Sequence, residues 1–154
     1  MSLTGCCSEC ADSACVLLVS PFTEDMAALQ AVVSGHAWRL CTVDGLEQAC
    51  QMLARHRVAV VVCECDSAPG TWRDLLAFIE LQSDPPLLIV TSRLADDRLW
   101  AEVLNLGGYD VLAKPFDTRE LNRVLSFAHE RGRDAWNRGA RAARPLPPTA
   151  APPA

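Results

Sequence analysis

Short apolar runs alternate along the chain with stretches whose apolar residues recur every three or four positions. Val16-Leu17-Leu18-Val19, Trp38 to Val43, Val58 to Cys63, Leu87 to Thr91 and Val111 to Ala113 are nearly continuous in apolar residues, many of them β-branched. Their length and their polar or Pro/Gly-bearing flanks predict buried strands. The segments between them carry helical stripes. Met26, Leu29 and Val33 form the first stripe, Leu46, Ala49, Cys50 and Leu53 the second, and Trp72, Leu75, Leu76 and Ile79 the third. Leu99, Val103 and Leu106 form the fourth, and Leu121, Val124, Leu125 and Ala128 the fifth. Capping signals frame these helices. Thr23 precedes two first-turn acids, Asp44 precedes the second stripe, and Thr71 with Asp74 and Asp117 with Glu120 resemble capping boxes. Gly35 and Gly107-Gly108 act as stops.

The order is strand then helix, five times over. Strands separated by helices pair in parallel, and continuous apolar strands imply a sheet covered on both faces. Right-handed crossovers then give a doubly wound α/β sheet over residues 15–131. A cysteine-bearing leader, residues 1–14, precedes it. A Pro/Ala-rich basic tail, residues 132–154, follows and is expected to be disordered. Ligands of such sheets bind outside the carboxyl ends of the strands. Chemistry is therefore expected just after Val19, Cys63, Thr91 and Ala113.

Charge sharpens the division. Residues 1–130 hold nine basic and eighteen acidic side chains, whereas residues 131–154 hold five arginines against Asp134 alone. An acidic body is a poor match for nucleic acid, whose affinity comes mainly from Lys and Arg. No apolar run approaches the ~18–20 residues of a membrane span, and the start lacks a basic region followed by an apolar one. The expected location is the cytoplasm, with no membrane partner.

The chain has eight cysteines, expected to be reduced there. Cys41, Cys50, Cys63 and Cys65 fall in periodic segments and read as small core residues. Cys6, Cys7, Cys10 and Cys15 form a cluster that includes a C-x-x-C. Four thiols this close could hold zinc or sense redox state, but the second separated pair of a structural zinc site is missing. An enzyme of small molecules has little support. No Gly-rich phosphate loop follows the first strand, and His36, His56 and His129 fall on helices or their ends.

The strand ends carry the remaining signal. Thr91-Ser92 closes the fourth strand and Lys114-Pro115-Phe116 the fifth, and Lys114 is the sole lysine against thirteen arginines. The segment from Leu106 to Phe116, with the Thr91 hydroxyl at matching spacing upstream, resembles the receiver domains of bacterial two-component response regulators. The resemblance covers residues 15–131. It implies a flavodoxin-like sheet of strand order 2-1-3-4-5. It also implies phosphoryl transfer to an aspartate, with Mg2+ held by carboxylates and a hydroxyl and a lysine balancing the remaining charge. The altered surface would then meet another signalling protein, such as a histidine kinase or an output protein, or a second copy of the chain.

Against that pattern the sequence departs at several places. Ser20-Pro21 stands where the family has its acidic pair, and Glu24 and Asp25 read as ordinary first-turn acids. Glu64 stands at the acceptor position and is one methylene too long. Asp66 is a rival acceptor. Val111 occupies the aromatic switch position, with Tyr109 two residues earlier. Ser20, Pro21, Glu64, Thr91 and Lys114 would thus form a degenerate pocket, with Mg2+ binding weak or absent, no catalytic residue and no other cofactor. The expectation is a pseudoreceiver in which Glu64 pairs with Lys114 or imitates the charged state. On the fourth helix, Trp100 and Leu104 sit four residues apart. They either anchor a partner or widen the buried stripe.

Overall fold

A computed structural model of the protein describes residues 15–36, 38–68 and 71–142, the last eleven as helical backbone. Its elements are β1 (Cys15–Val19), α1 (Thr23–Val33), β2 (Arg39–Val43), α2 (Leu46–Arg55) and β3 (Val60–Glu64), then α3 (Thr71–Glu80), β4 (Leu87–Ser92), α4 (Asp97–Leu106), β5 (Asp110–Ala113) and α5 (Thr118–Ala142). The strands form one sheet of order β2-β1-β3-β4-β5, and every pairing is parallel. This is the flavodoxin-like arrangement expected from the sequence.

Strand alternation sorts the core into two layers. Cys15, Leu17, Val19, Cys41, Val43, Val61, Cys63 and Val90 face α2, α3 and α4, meeting Leu53, Trp72, Leu75, Ile79 and Val103. Val16, Leu18, Val60, Val62, Ile89 and Leu112 face α1 and α5, meeting Leu29, Val32, Leu121, Val124, Leu125 and Ala128. The strands are apolar at successive positions because both faces are covered.

Several details differ from the sequence expectation. Met26 is 39 % exposed, and the inward row of α1 is instead Asp25, Leu29, Val32 and Val33. Thr23 lies inside α1, whose N-cap is Phe22, and Gly45 rather than Asp44 caps α2. On α4 only Val103 is buried, with Leu99 half-buried and Leu106 exposed. α4 packs beside β5, the edge strand of the sheet, so a single row of its side chains is covered. Its N-cap is Asp96, whose carboxylate accepts a bond from the Leu99 amide at 2.9 Å. At the other end Gly107 adopts φ +109°, a left-handed conformation that favours glycine. A Cβ on Gly108 would lie 2.4 Å from Val103 Cγ1, so this glycine lets the chain turn tightly from α4 toward β5.

At α5 the Asp117 carboxylate accepts bonds from the Arg119 and Glu120 amides, as a cap should. The helix then continues to Ala142. It crosses the boundary expected at residue 131 and extends the helical backbone by about 16 Å at 1.5 Å per residue. The disorder expected from residue 132 is corrected as far as Ala142. Residues 1–14 and 143–154 lie outside the described residues. Among the described residues, no helix is long and apolar enough to cross a membrane.

Candidate functional site

β1, β3, β4 and β5 end along one edge of the sheet. Register places Glu64 beside Thr91 and Ser92 beside Ala113, and the Lys114 amide donates to the Ser92 carbonyl at 2.9 Å. The parallel ladder therefore gathers the ends of three strands around Lys114. Its side chain is 8 % exposed, a burial that a lysine tolerates only with anionic company.

The company is two carboxylates. Lys114 Nζ lies 3.3 Å from Glu64 Oε1 and 3.2 Å from Asp25 Oδ2. Pairing of Lys114 with Glu64 was expected from the sequence. Asp25 was not, and its reading as an ordinary first-turn acid is corrected. It is 4 % exposed and occupies the innermost row of α1, one turn before Leu29. Ser20 Oγ donates to Asp25 Oδ2 at 2.8 Å and accepts from the Phe22 amide at 3.1 Å. The Phe22 ring lies 4.8 Å from the Lys114 ammonium, in cation–π range.

Two anions and one cation leave one negative charge to be satisfied. The β3–α3 loop supplies the donors. Glu64 Oε1 accepts from the Asp66 amide at 2.5 Å, and Oε2 accepts from the Ser67 amide at 3.0 Å and the Ser67 hydroxyl at 2.7 Å. Charge-assisted bonds of this kind are the strong ones. Thr91 is fully buried beside Glu64, yet its Oγ1 has no hydrogen-bond partner among the described residues.

No family model matches the chain. The regulatory protein VirG of Rhizobium rhizogenes is 28 % identical over 97 residues, which is 62 % of this chain and 40 % of that protein. VirG of Agrobacterium fabrum (strain C58 / ATCC 33970) is 28 % identical over 85 residues, 55 % of this chain and 34 % of its own length. The chain thus spans two-fifths or less of these curated relatives. Among solved structures, the signal receiver domain of an HD domain-containing protein from Pseudomonas fluorescens Pf-5 superposes with a TM-score of 0.70 at 28 % identity, covering 79 % of this chain and 98 % of that one. The chain carries a response-regulator receiver domain. The same fold recurs at lower identity. A response regulator from Thermotoga maritima matches at TM-score 0.70 and 16 % identity, and the beryllofluoride-activated NtrC4 receiver domain dimer at 0.69 and 21 %. Each covers 77 % of this chain and 98 % of its own.

Within this receiver, the other sequence candidates divide. Pro21 is exposed at the turn after β1 and brings no ligand. Asp66 is exposed, with Oδ1 accepting from Ser92 Oγ at 2.6 Å and Oδ2 from the Arg93 amide at 2.8 Å. Partial burial pushes its carboxyl up, but the Arg93 amide, the Ser92 hydroxyl and the Lys114 charge together hold it below the usual range. Both oxygens of this rival acceptor are already engaged. Val111 packs against the α2/α3 layer, whereas Tyr109 packs against the α1/α5 layer. β5 begins at Asp110, so the two do not share a strand face. Trp100 is 50 % exposed and Leu104 half-buried, so Trp100 does not widen the buried stripe of α4.

The thiols beside the pocket are poor nucleophiles. Burial, with smaller contributions from Cys65 and Glu64, pushes Cys63 up to about 12, and burial also raises Cys65. Cys15 is buried at the start of β1, with its Sγ 3.3 Å from Cys41 Sγ, while Cys6, Cys7 and Cys10 lie outside the described residues.

The donor set does not fit the family's Mg2+. That ion demands near-octahedral oxygen ligands at 2.0–2.1 Å. Here Ser20 and Pro21 replace the acid pair, and the two buried carboxylates converge on an ammonium. No group of three His, Cys, Asp or Glu among the described residues could hold a metal ion.

Proposed function

We propose that this receiver is a protein–protein docking module of two-component signalling that does not accept a phosphoryl group. The observation that carries the reading is the Lys114 ammonium shared by Glu64 and Asp25. Phosphoryl transfer needs a free carboxylate oxygen in line with phosphorus and a cation to gather the equatorial oxygens. Glu64 has both oxygens engaged, and the cation beside it is a lysine already paired. Imitation of a phosphorylated state by Glu64 is partial, because it bonds to Lys114 and the loop amides while the Thr91 hydroxyl has no partner among the described residues. The module is thus not an enzyme, and it binds Mg2+ weakly if at all.

Its output is a surface. Trp100 and Leu104 on α4 offer an aromatic and an aliphatic side chain at adjacent turns, and partly exposed Trp is the residue that interfaces favour most. The partner is another signalling protein, a kinase or output protein, or a second copy, as in the NtrC4 receiver dimer. An acidic body and the absence of a membrane-crossing helix among the described residues agree with a cytoplasmic protein partner rather than nucleic acid or membrane.

The test is intact mass after incubation with acetyl phosphate and Mg2+. The expected mass is that of the unmodified chain. An acid-labile gain of one phosphoryl group would overturn the proposal, and its loss in Asp66→Asn would assign it to Asp66.

A further inference from the structure

The turn after β1 has lost its acids, yet the pocket still buries two carboxylates, one from β3 and one from α1. Buried anions need compensating charge at short range. We infer that the Lys114 ammonium is the receiver's built-in counter-cation, held by Asp25 and Glu64 in the role a divalent ion would play, and that Asp25 is the residue positioning it. This deepens the proposal above and rests on the same pocket.

Two residues of the turn, Ser20 and Phe22, serve the lysine. Ser20, instead of offering a carboxylate to a metal, donates its hydroxyl to Asp25 Oδ2 at 2.8 Å and so aims that carboxylate at Nζ. The Phe22 ring lies 4.8 Å from the ammonium, in cation–π range. Asp25 stands one helical turn before Leu29, on the row of α1 that faces the sheet. An acid there reaches the pocket from the helix rather than from the loop. The ammonium is therefore held from two separate elements, α1 and β3, and it ties both to the end of β5.

The arrangement has a consequence for the ion it replaces. Asp25 Oδ2 and Glu64 Oε1 lie 3.2 and 3.3 Å from one point, the Nζ position. Oxygen–cation distances run from about 2.0 Å for Mg2+ to about 2.6 Å for Ca2+, so a modest contraction would let both oxygens reach a cation at that point. With the ammonium present, a divalent ion is repelled and the pocket is indifferent to it. With the ammonium removed, the two carboxylates become a divalent-cation site.

Thermal melts of the full chain, of Lys114→Met, and of Lys114→Met with Asp25→Asn test this, each in EDTA and in excess MgCl2 or CaCl2. The parent should melt at the same temperature in all three solutions. Lys114→Met should melt lower in EDTA and recover by about 3 °C or more with a divalent ion. The double variant should show no recovery. A parent stabilised by the ions as much as Lys114→Met, or a folded Lys114→Met that ignores them, would overturn the inference. Where Lys114→Met is unfolded in EDTA, recovery of its far-UV circular dichroism on adding the ion supports the inference. With no recovery, Asp25→Asn alone decides. It should lose stability and gain no ion response, and unchanged stability would overturn the positioning role. The melts do not read phosphorylation, so a failure of this inference leaves the absence of phosphoryl transfer to be decided by the intact-mass experiment.

Discussion

Replacing Lys114 with methionine should lower the unfolding free energy by about 3–5 kcal/mol, the usual cost of removing one partner from a buried ion pair. The change keeps an unbranched side chain, one atom shorter, and takes away the ammonium with its charge and its hydrogen-bond donors. Two carboxylates would then share a pocket in which the paired side chains are almost wholly buried. An exposed pair would contribute no more than about 1 kcal/mol, so the magnitude separates the two situations. Urea unfolding in EDTA reads the effect as a lower midpoint at unchanged slope. A midpoint equal to the parent's would mean that the ammonium does not balance Asp25 and Glu64 in solution.

A loss of similar size is expected on the opposite side of β3's chemistry, in the core. Trp72 is 1 % exposed, the largest fully buried side chain described, packed in the layer between the sheet and α3. Trp72→Ala should cost about 3–5 kcal/mol, because it removes a large apolar area and leaves a cavity the fixed sheet cannot close. Trp100 makes the contrast. Half of it already faces solvent, so Trp100→Ala should cost under about 1 kcal/mol while weakening any docking on α4. The same urea experiment on both variants checks this. Equal losses would mean that Trp100 belongs to the core and would remove it from the proposed interface.

Much of the architecture could be read from periodicity. Both faces of the sheet are covered, so the strands appear as unbroken apolar runs, and Trp72, Leu75, Leu76 and Ile79 lie on the buried stripe of α3 as their spacing requires. The strand order needed the resemblance carried by Lys114-Pro115-Phe116, since spacing alone cannot order parallel strands. The pairing of Lys114 with Glu64 followed from both residues ending strands of one sheet.

Asp25 was hidden because a first-turn acid already has an explanation in the helix dipole. The available signal was its spacing of four from Leu29 and eight from Val33, which places it on the inward row. An apolar residue beside it, Met26, drew the stripe one position round. Whether Tyr109 shares a face with Val111 depends on where β5 starts, here Asp110, and strand ends are the least determined part of any pattern. The continuation of α5 past residue 131 has no apolar stripe to announce it. Its alanines and arginines are good helix formers, and that local preference suffices to extend a helix already anchored by Leu121, Val124, Leu125 and Ala128.

The central claim is that this pocket is filled by its own charges. Backbone amide spectra of the full chain, recorded with and without Mg2+ and beryllofluoride, test it most directly. The amides of Glu64, Asp66, Ser67, Thr91 and Lys114 should stay where they are at every concentration. Saturable shifts at these five positions, dependent on both Mg2+ and beryllofluoride, would show that the pocket takes a metal and a phosphoryl-like group, and would contradict the claim.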